Sequence, residues 1–163
     1  MKAPYLLKTA SDVEALRDKV NTEGFSFENT YFQLTEDITL PTGWKPIGVT
    51  KDGRKDLKNG ENLNAFSGIF DGNNHTVTVP EGGLPLFGYV RNTRIRNLNI
   101  YGKKIAGYGL VNNFEGVGLS GMAVEIDNVT LKSGSSTLKS GLLGANKTMS
   151  PYAGCSSAFE ATV

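Results

Sequence analysis

The chain has 163 residues, the size of one ordinary domain with room for a continuous core. Seventeen basic residues against sixteen acidic ones leave a formal net charge of +1, so no long-range field points to nucleic acid or an anionic membrane. A single cysteine, Cys155, excludes an intrachain disulfide framework and a multi-cysteine zinc site.

Met1-Lys2-Ala3-Pro4-Tyr5-Leu6-Leu7 lacks the apolar stretch of a signal peptide, and no run reaches the length of a spanning helix. The start is expected to be a boundary within a longer protein. Residues 11–20 read as the one helix. Ser11 is placed as N-cap with Glu14 returning to it, and Val13, Leu16 and Val20 make an apolar stripe ended by Asn21 and Gly24. Its expected use is to cover the first open edge of a sheet.

Strand patterns follow. Phe32 and Leu34 alternate with Gln33 and Thr35, and Ile38 and Leu40 flank Thr39. Trp44-Lys45-Pro46-Ile47-Gly48 reads as a bend, with Trp44 packed on Pro46, and residues 50–64 as an exposed excursion. Phe66, Gly68 and Phe70 lead into the turn Asp71-Gly72-Asn73-Asn74, after which His75, Val77 and Val79 share a face.

The later chain repeats itself. Ile95-Arg96-Asn97-Leu98-Asn99-Ile100 returns as Ile126-Asp127-Asn128-Val129-Thr130-Leu131, and Leu86-Phe87-Gly88 returns as Leu110-Val111-Asn112 and Leu142-Leu143-Gly144. Self-similarity at this spacing marks stacked repeats, none of which buries its apolar face alone. Side chains of a flat strand alternate, so Ile95 and Ile100, on opposite parities, can both face inward only if the chain kinks after Asn97. The same holds at Asn128. The expected fold is therefore all-β: a parallel β-helix (solenoid) with a short N-terminal capping helix. It would form one domain over 1–163, with stacked coils over 30–163 and an Asn97–Asn128 ladder. The segment 158–163 is expected to be a further, degenerate strand.

Trp44 to Gly48, Phe66 to Val77, Leu86-Phe87-Gly88 and Ile95 to Leu98 resemble, in that order, the GLUG-type repeat modules of large bacterial cell-surface and secreted proteins. The resemblance runs from about residue 9 to 144. It implies a right-handed, pectate-lyase-like parallel β-helix, an extracellular or cell-surface location, and a role in adhesion or as a stalk beside other domains. The departures from it are the insertions Gly121–Ala123 and Ser133–Ser136 and a weak last coil.

Chemistry is sparse. His75 is the lone histidine and reads as a core or turn residue; Asp71 reads as a turn former before a calcium ligand. A calcium-dependent polysaccharide lyase would need Arg91, Arg94 or Arg96 beside an acidic cluster, whereas Glu125 and Asp127 fit cross-strand pairs with Arg94 and Arg96. Cys155 has no histidine nearby in sequence to activate it as a nucleophile. The expectation is a non-catalytic structural or adhesive module without cofactor or metal. The alternative is a carbohydrate-binding module, with Tyr101, Lys103 and Tyr108 offering flat rings and a cation to a sugar face. Expected partners are a host or cell-wall glycan or a protein ligand, neighbouring domains, and a second copy through an open C-terminal edge; nucleic acid and membrane are not expected.

Overall fold

The computed structural model describes residues 2–50, 63–106, 109–115, 124–133, 143–146 and 155–162. In chain order the elements are β1 (Tyr5–Leu7), α1 (Ala10–Asn21), β2 (Tyr31–Leu34), β3 (Ile38–Thr39), β4 (Val49–Thr50) and β5 (Leu63–Asn64). There follow β6 (Ile69–Asp71), β7 (Thr76–Val79), β8 (Phe87–Arg91), β9 (Thr93–Gly102), β10 (Val111–Glu115), β11 (Val124–Ser133), β12 (Leu143–Asn146) and β13 (Cys155–Thr162). Eight strands make one parallel sheet, ordered β1-β2-β6-β9-β11-β13, with β7 also pairing β9 and β3 pairing β7. A second parallel sheet holds β12-β10-β8, and β4 pairs β5 antiparallel.

Apolar residues at matching register positions make the core. Tyr5, Phe32, Phe70, Ile95 and Ile126 form one row across the large sheet, and Ile38, Val77, Ile100 and Leu131 form another. All but Tyr5 are buried. Phe87 and Val111 of the second sheet are buried too, and Phe87 meets Phe66 at 5.3 Å and Phe70 at 5.4 Å between ring centroids. A buried side chain of this size contributes about 1.5–3 kcal/mol, so these rows carry the fold.

The expected all-β β-helix is corrected. The architecture is a mostly parallel sheet with α/β character. α1 lies in the chain between two adjacent parallel strands, β1 and β2, and is thus the crossover of a βαβ unit. It places Val13, Leu16 and Val20 in the core as expected of its stripe. The sheet edge, however, is formed by β1, residues that the expected coils starting at 30 left out. Nor is the spacing of a regular coil kept: paired residues lie 38 apart from Phe32 to Phe70 but 25 apart from Phe70 to Ile95. The 31-residue repeat holds only from β9 to β11 and on to Ser157 of β13.

Local expectations fare better. The kink at Asn97 and Asn128 is present, each residue adopting a left-handed backbone at φ 50° and 52°. Ile95, Leu98 and Ile100 are all buried as a result. The repeated phrase beginning at Leu86 also pairs in register, Phe87 with Val111 and Val111 with Leu143. The helix cap is shifted: Thr9, not Ser11, accepts from the Asp12 amide at 3.2 Å, and Asp12 returns to the Thr9 amide at 2.9 Å. Residues 51–62 of the expected excursion, 121–123 and 134–136 lie outside the described residues.

Candidate functional site

The outward face of the large sheet carries two rows at fixed register, polar except at Ile69. One runs Tyr31, Ile69, Arg94, Glu125; the other runs Gln33, Asp71, Arg96, Asp127. Strand alternation puts these residues outside because their neighbours Phe32, Phe70, Ile95 and Ile126 fill the core.

Asp71 is the centre. Its side chain is 6% exposed and accepts from the Tyr31 hydroxyl and from Arg96 Nε, both at 2.9 Å. Its other oxygen accepts from the Asn73 amide at 2.8 Å and from Asn97 Nδ2 at 3.3 Å. The Tyr31 oxygen in turn accepts from Arg96 Nη2 at 3.2 Å and Gln33 Nε2 at 3.3 Å, while the Arg96 guanidinium lies 5.4 Å from the Tyr31 ring centroid. The network continues to β11, where Asn128 Nδ2 donates to Asn97 Oδ1 at 2.9 Å. Burial would push the Asp71 carboxyl up, but the Asn73 amide, Tyr31, Arg96 and Asn97 together hold it below its ordinary value. The Tyr31 hydroxyl and Asp71 hold Arg96 above its ordinary value, against the effect of its own burial.

The backbone beneath is tight. A Cβ on Gly72 would stand 2.5 Å from the Asn97 carbonyl oxygen, so the turn after β6 and the corner in β9 stack only because residue 72 is glycine. The Gly72 amide donates to the Arg96 carbonyl at 2.8 Å and the Asn74 amide to that of Asn97 at 2.7 Å.

Beside this network a hollow of about 200 Å³ is lined by Glu28, Asn29, Ser67, Asn92, Arg94 and Glu125. Arg94 is ion-paired with Glu125 across the strands. Arg96 departs from expectation: it turns from its register neighbour Asp127 to Asp71 on the other side. Phe70-Asp71 aligns with Ile95-Arg96 in register, and that shared apolar-polar phase was the signal that could have exposed the pair.

Tyr101 is 44% exposed and sits at the register position of Thr78 on one side and Lys132 on the other. Lys103 pairs with Glu81 at 3.4 Å, and Tyr108 lies outside the described residues. His75 is a turn residue, its Nδ1 3.2 Å from Asp37 Oδ1, while Val77 and Val79 beyond it are buried. Trp44 is buried, donating from Nε1 to the Pro85 carbonyl at 3.1 Å. Among the described residues no group of three His, Cys, Asp or Glu side chains is placed to hold a metal ion, and no helix is long and apolar enough to cross a membrane.

Comparison with known proteins finds no matching family model, no matching curated protein and no matching solved structure.

Proposed function

We propose that the chain is a non-catalytic structural and adhesive module of a bacterial cell-surface or secreted protein. The observation that carries this is the closed network from Tyr31 through Asp71, Arg96 and Asn97 to Asn128, which spans β2, β6, β9 and β11. A general base must be able to take a proton from substrate. Asp71 instead spends both oxygens on four internal donors, and Arg94 and Arg96 are each neutralised by a carboxylate. Groups committed in this way brace strands against one another. The surface setting is supported by the resemblance of the Trp44–Gly48, Phe66–Val77 and Leu86–Gly88 phrases to GLUG-type modules.

A carbohydrate-binding module is the second reading, and Tyr101 favours it: a half-exposed ring beside Thr78 and Lys132 can stack on a sugar. One experiment addresses both. The purified chain is mixed with calcium and anionic polysaccharides, and both retention on the polymer and release of unsaturated product are followed. The module reading expects no product. Product formation lost in Arg94→Ala or Arg96→Ala would overturn it, and retention lost in Tyr101→Ala would establish the sugar-binding face.

A further inference from the structure

We infer that the face of the large sheet beyond the Asn97 and Asn128 kinks binds an acidic polysaccharide. Tyr101 stacks on a sugar ring, and Lys132 pairs with the carboxylate or sulfate that the ring carries. The inference rests on the sugar-binding reading of Tyr101; it adds the charge class of the sugar and the cation that selects it.

The kinks divide the outer surface of the sheet in two. Before them, Arg94 is paired with Glu125 and Arg96 with Asp71, so the cations of that half are already neutralised. After them, Val77, Ile100 and Leu131 fill the core. Alternation therefore turns Thr76, Thr78, Asn99, Tyr101, Thr130 and Lys132 outwards. Two rows result, one running Thr39, Thr78, Tyr101, Lys132 and the other Thr76, Asn99, Thr130.

The first row holds a cation without an acid. Lys132 is exposed, is the register partner of Tyr101, and has no ion-pair partner among the described residues. Adjacent strands lie about 4.8 Å apart, so the lysine stem and the tyrosine ring are immediate neighbours. Lys103, the cation the sequence points to, is committed to Glu81 at 3.4 Å. Carboxylates border this face rather than fill it. Asp37 accepts from the Thr76 amide at 2.9 Å and lies 3.2 Å from His75 Nδ1, and Glu160 of β13 is the register partner of Thr130.

This arrangement fits a sugar that carries negative charge. Tyr101 is 44% exposed and offers a flat apolar ring to the C–H face of a pyranose. An anionic group on the stacked unit then falls within reach of Lys132, which a neutral sugar would leave unused. On the other side of Tyr101 the row continues with the hydroxyls of Thr78 and Thr39, each able to donate to or accept from sugar hydroxyls. A polymer laid across the strands meets one row residue about every 4.8 Å, so one sugar unit falls on each strand.

The test is calorimetric titration of the full chain with dextran, polygalacturonate and dextran sulfate, at low salt and with a chelator present to exclude bridging by calcium. Binding of polygalacturonate or dextran sulfate but not of dextran is expected, weakening as sodium chloride is added. Which of the two charged polymers binds tells carboxylate from sulfate. Lys132→Ala weakens that binding about two- to fivefold, the worth of an exposed ion pair. Lys132→Glu weakens it further, and Tyr101→Ala weakens it about two- to tenfold. Both positions are exposed, so the circular dichroism spectrum is unchanged in all three variants. Lys45→Ala, which removes the same charge from the bend at 44–48, leaves binding as it was. Equal losses in Lys45→Ala and Lys132→Ala would mean diffuse attraction and overturn the site. Binding of all three polymers that is lost in Tyr101→Ala and untouched in Lys132→Glu would keep the sugar-binding reading and refute the charge class. Binding of none refutes both.

Discussion

Asp71 shows how a turn residue becomes the keystone of a face. Aspartate in an Asp-Gly-Asn-Asn turn needs no further explanation than its own backbone, where it accepts from the Asn73 amide. Here Tyr31, Arg96 and Asn97 also converge on it from strands 25 to 40 positions away. The sign of its titration follows from the depressed folded value. Below the ordinary carboxylate value of 3.8 the unfolded chain takes up the proton first. The contribution of Asp71 is therefore complete above about pH 4 and is lost as pH falls through the lower folded value. Asp71→Asn is expected to lower stability by about 2–3 kcal/mol at neutral pH in urea unfolding, the usual worth of hydrogen bonds to a charged group. The difference from the parent chain should shrink in acid; a difference independent of pH would assign the loss to packing alone. At this scale the sequence was partly legible. The kinks at Asn97 and Asn128 follow from parity, because Ile95 and Ile100 cannot both be inside on a flat strand. The partner of Arg96 was not, because Asp71 and Asp127 both flank it in register and only the turn geometry after β6 decides between them.

The helix shows the limits of pattern at the scale of an element. The stripe of Val13, Leu16 and Val20 is buried, as a period of 3.6 demands. The start is ambiguous in sequence, since Thr9 with Asp12 and Ser11 with Glu14 both have capping-box spacing. The first pair wins because Asp12 satisfies two amides at once, those of Lys8 and Thr9, each at 2.9 Å. Thr9→Ala is accordingly expected to cost about 1 kcal/mol in thermal or urea unfolding, whereas Ser11→Ala leaves stability unchanged. Equal losses would mean that the helix start is not where the hydrogen bonds place it. β1 is illegible for another reason. Three residues, Tyr5-Leu6-Leu7, hold too little of a two-residue period to stand out, and their strand geometry comes from pairing with β2.

Over the whole molecule, stacked coils are expected from residue 30 to 163, but the 31-residue spacing governs only β9, β11 and β13. Upstream, the sheet is completed by a βαβ crossover whose helix is part of the core rather than a lid upon it. That arrangement couples α1 to the bend at 44–48 and to the segment before β8 through a few specific contacts. The Asn21 side chain, at the last turn of α1, donates to the Pro46 carbonyl at 2.9 Å and accepts from the Gly48 amide at 2.7 Å. Between these anchors and the second sheet sits Trp44, with the Arg17 guanidinium 5.1 Å from its ring and its Nε1 bonded to the Pro85 carbonyl just before β8. Trp44 is the single tryptophan of the chain, so its fluorescence reports the junction of helix and second sheet alone. Far-ultraviolet circular dichroism reports the strands of both sheets. If helix, bend and sheets share one core, the two signals lose their native values at the same urea concentration with the same slope. A tryptophan transition at clearly lower urea would show that α1 and the bend peel away first, leaving the repeat strands β9 to β13 as a separate cooperative unit. The continuous contacts from Val13, Leu16 and Val20 through Trp44 and Ile47 to Phe87 favour the single transition.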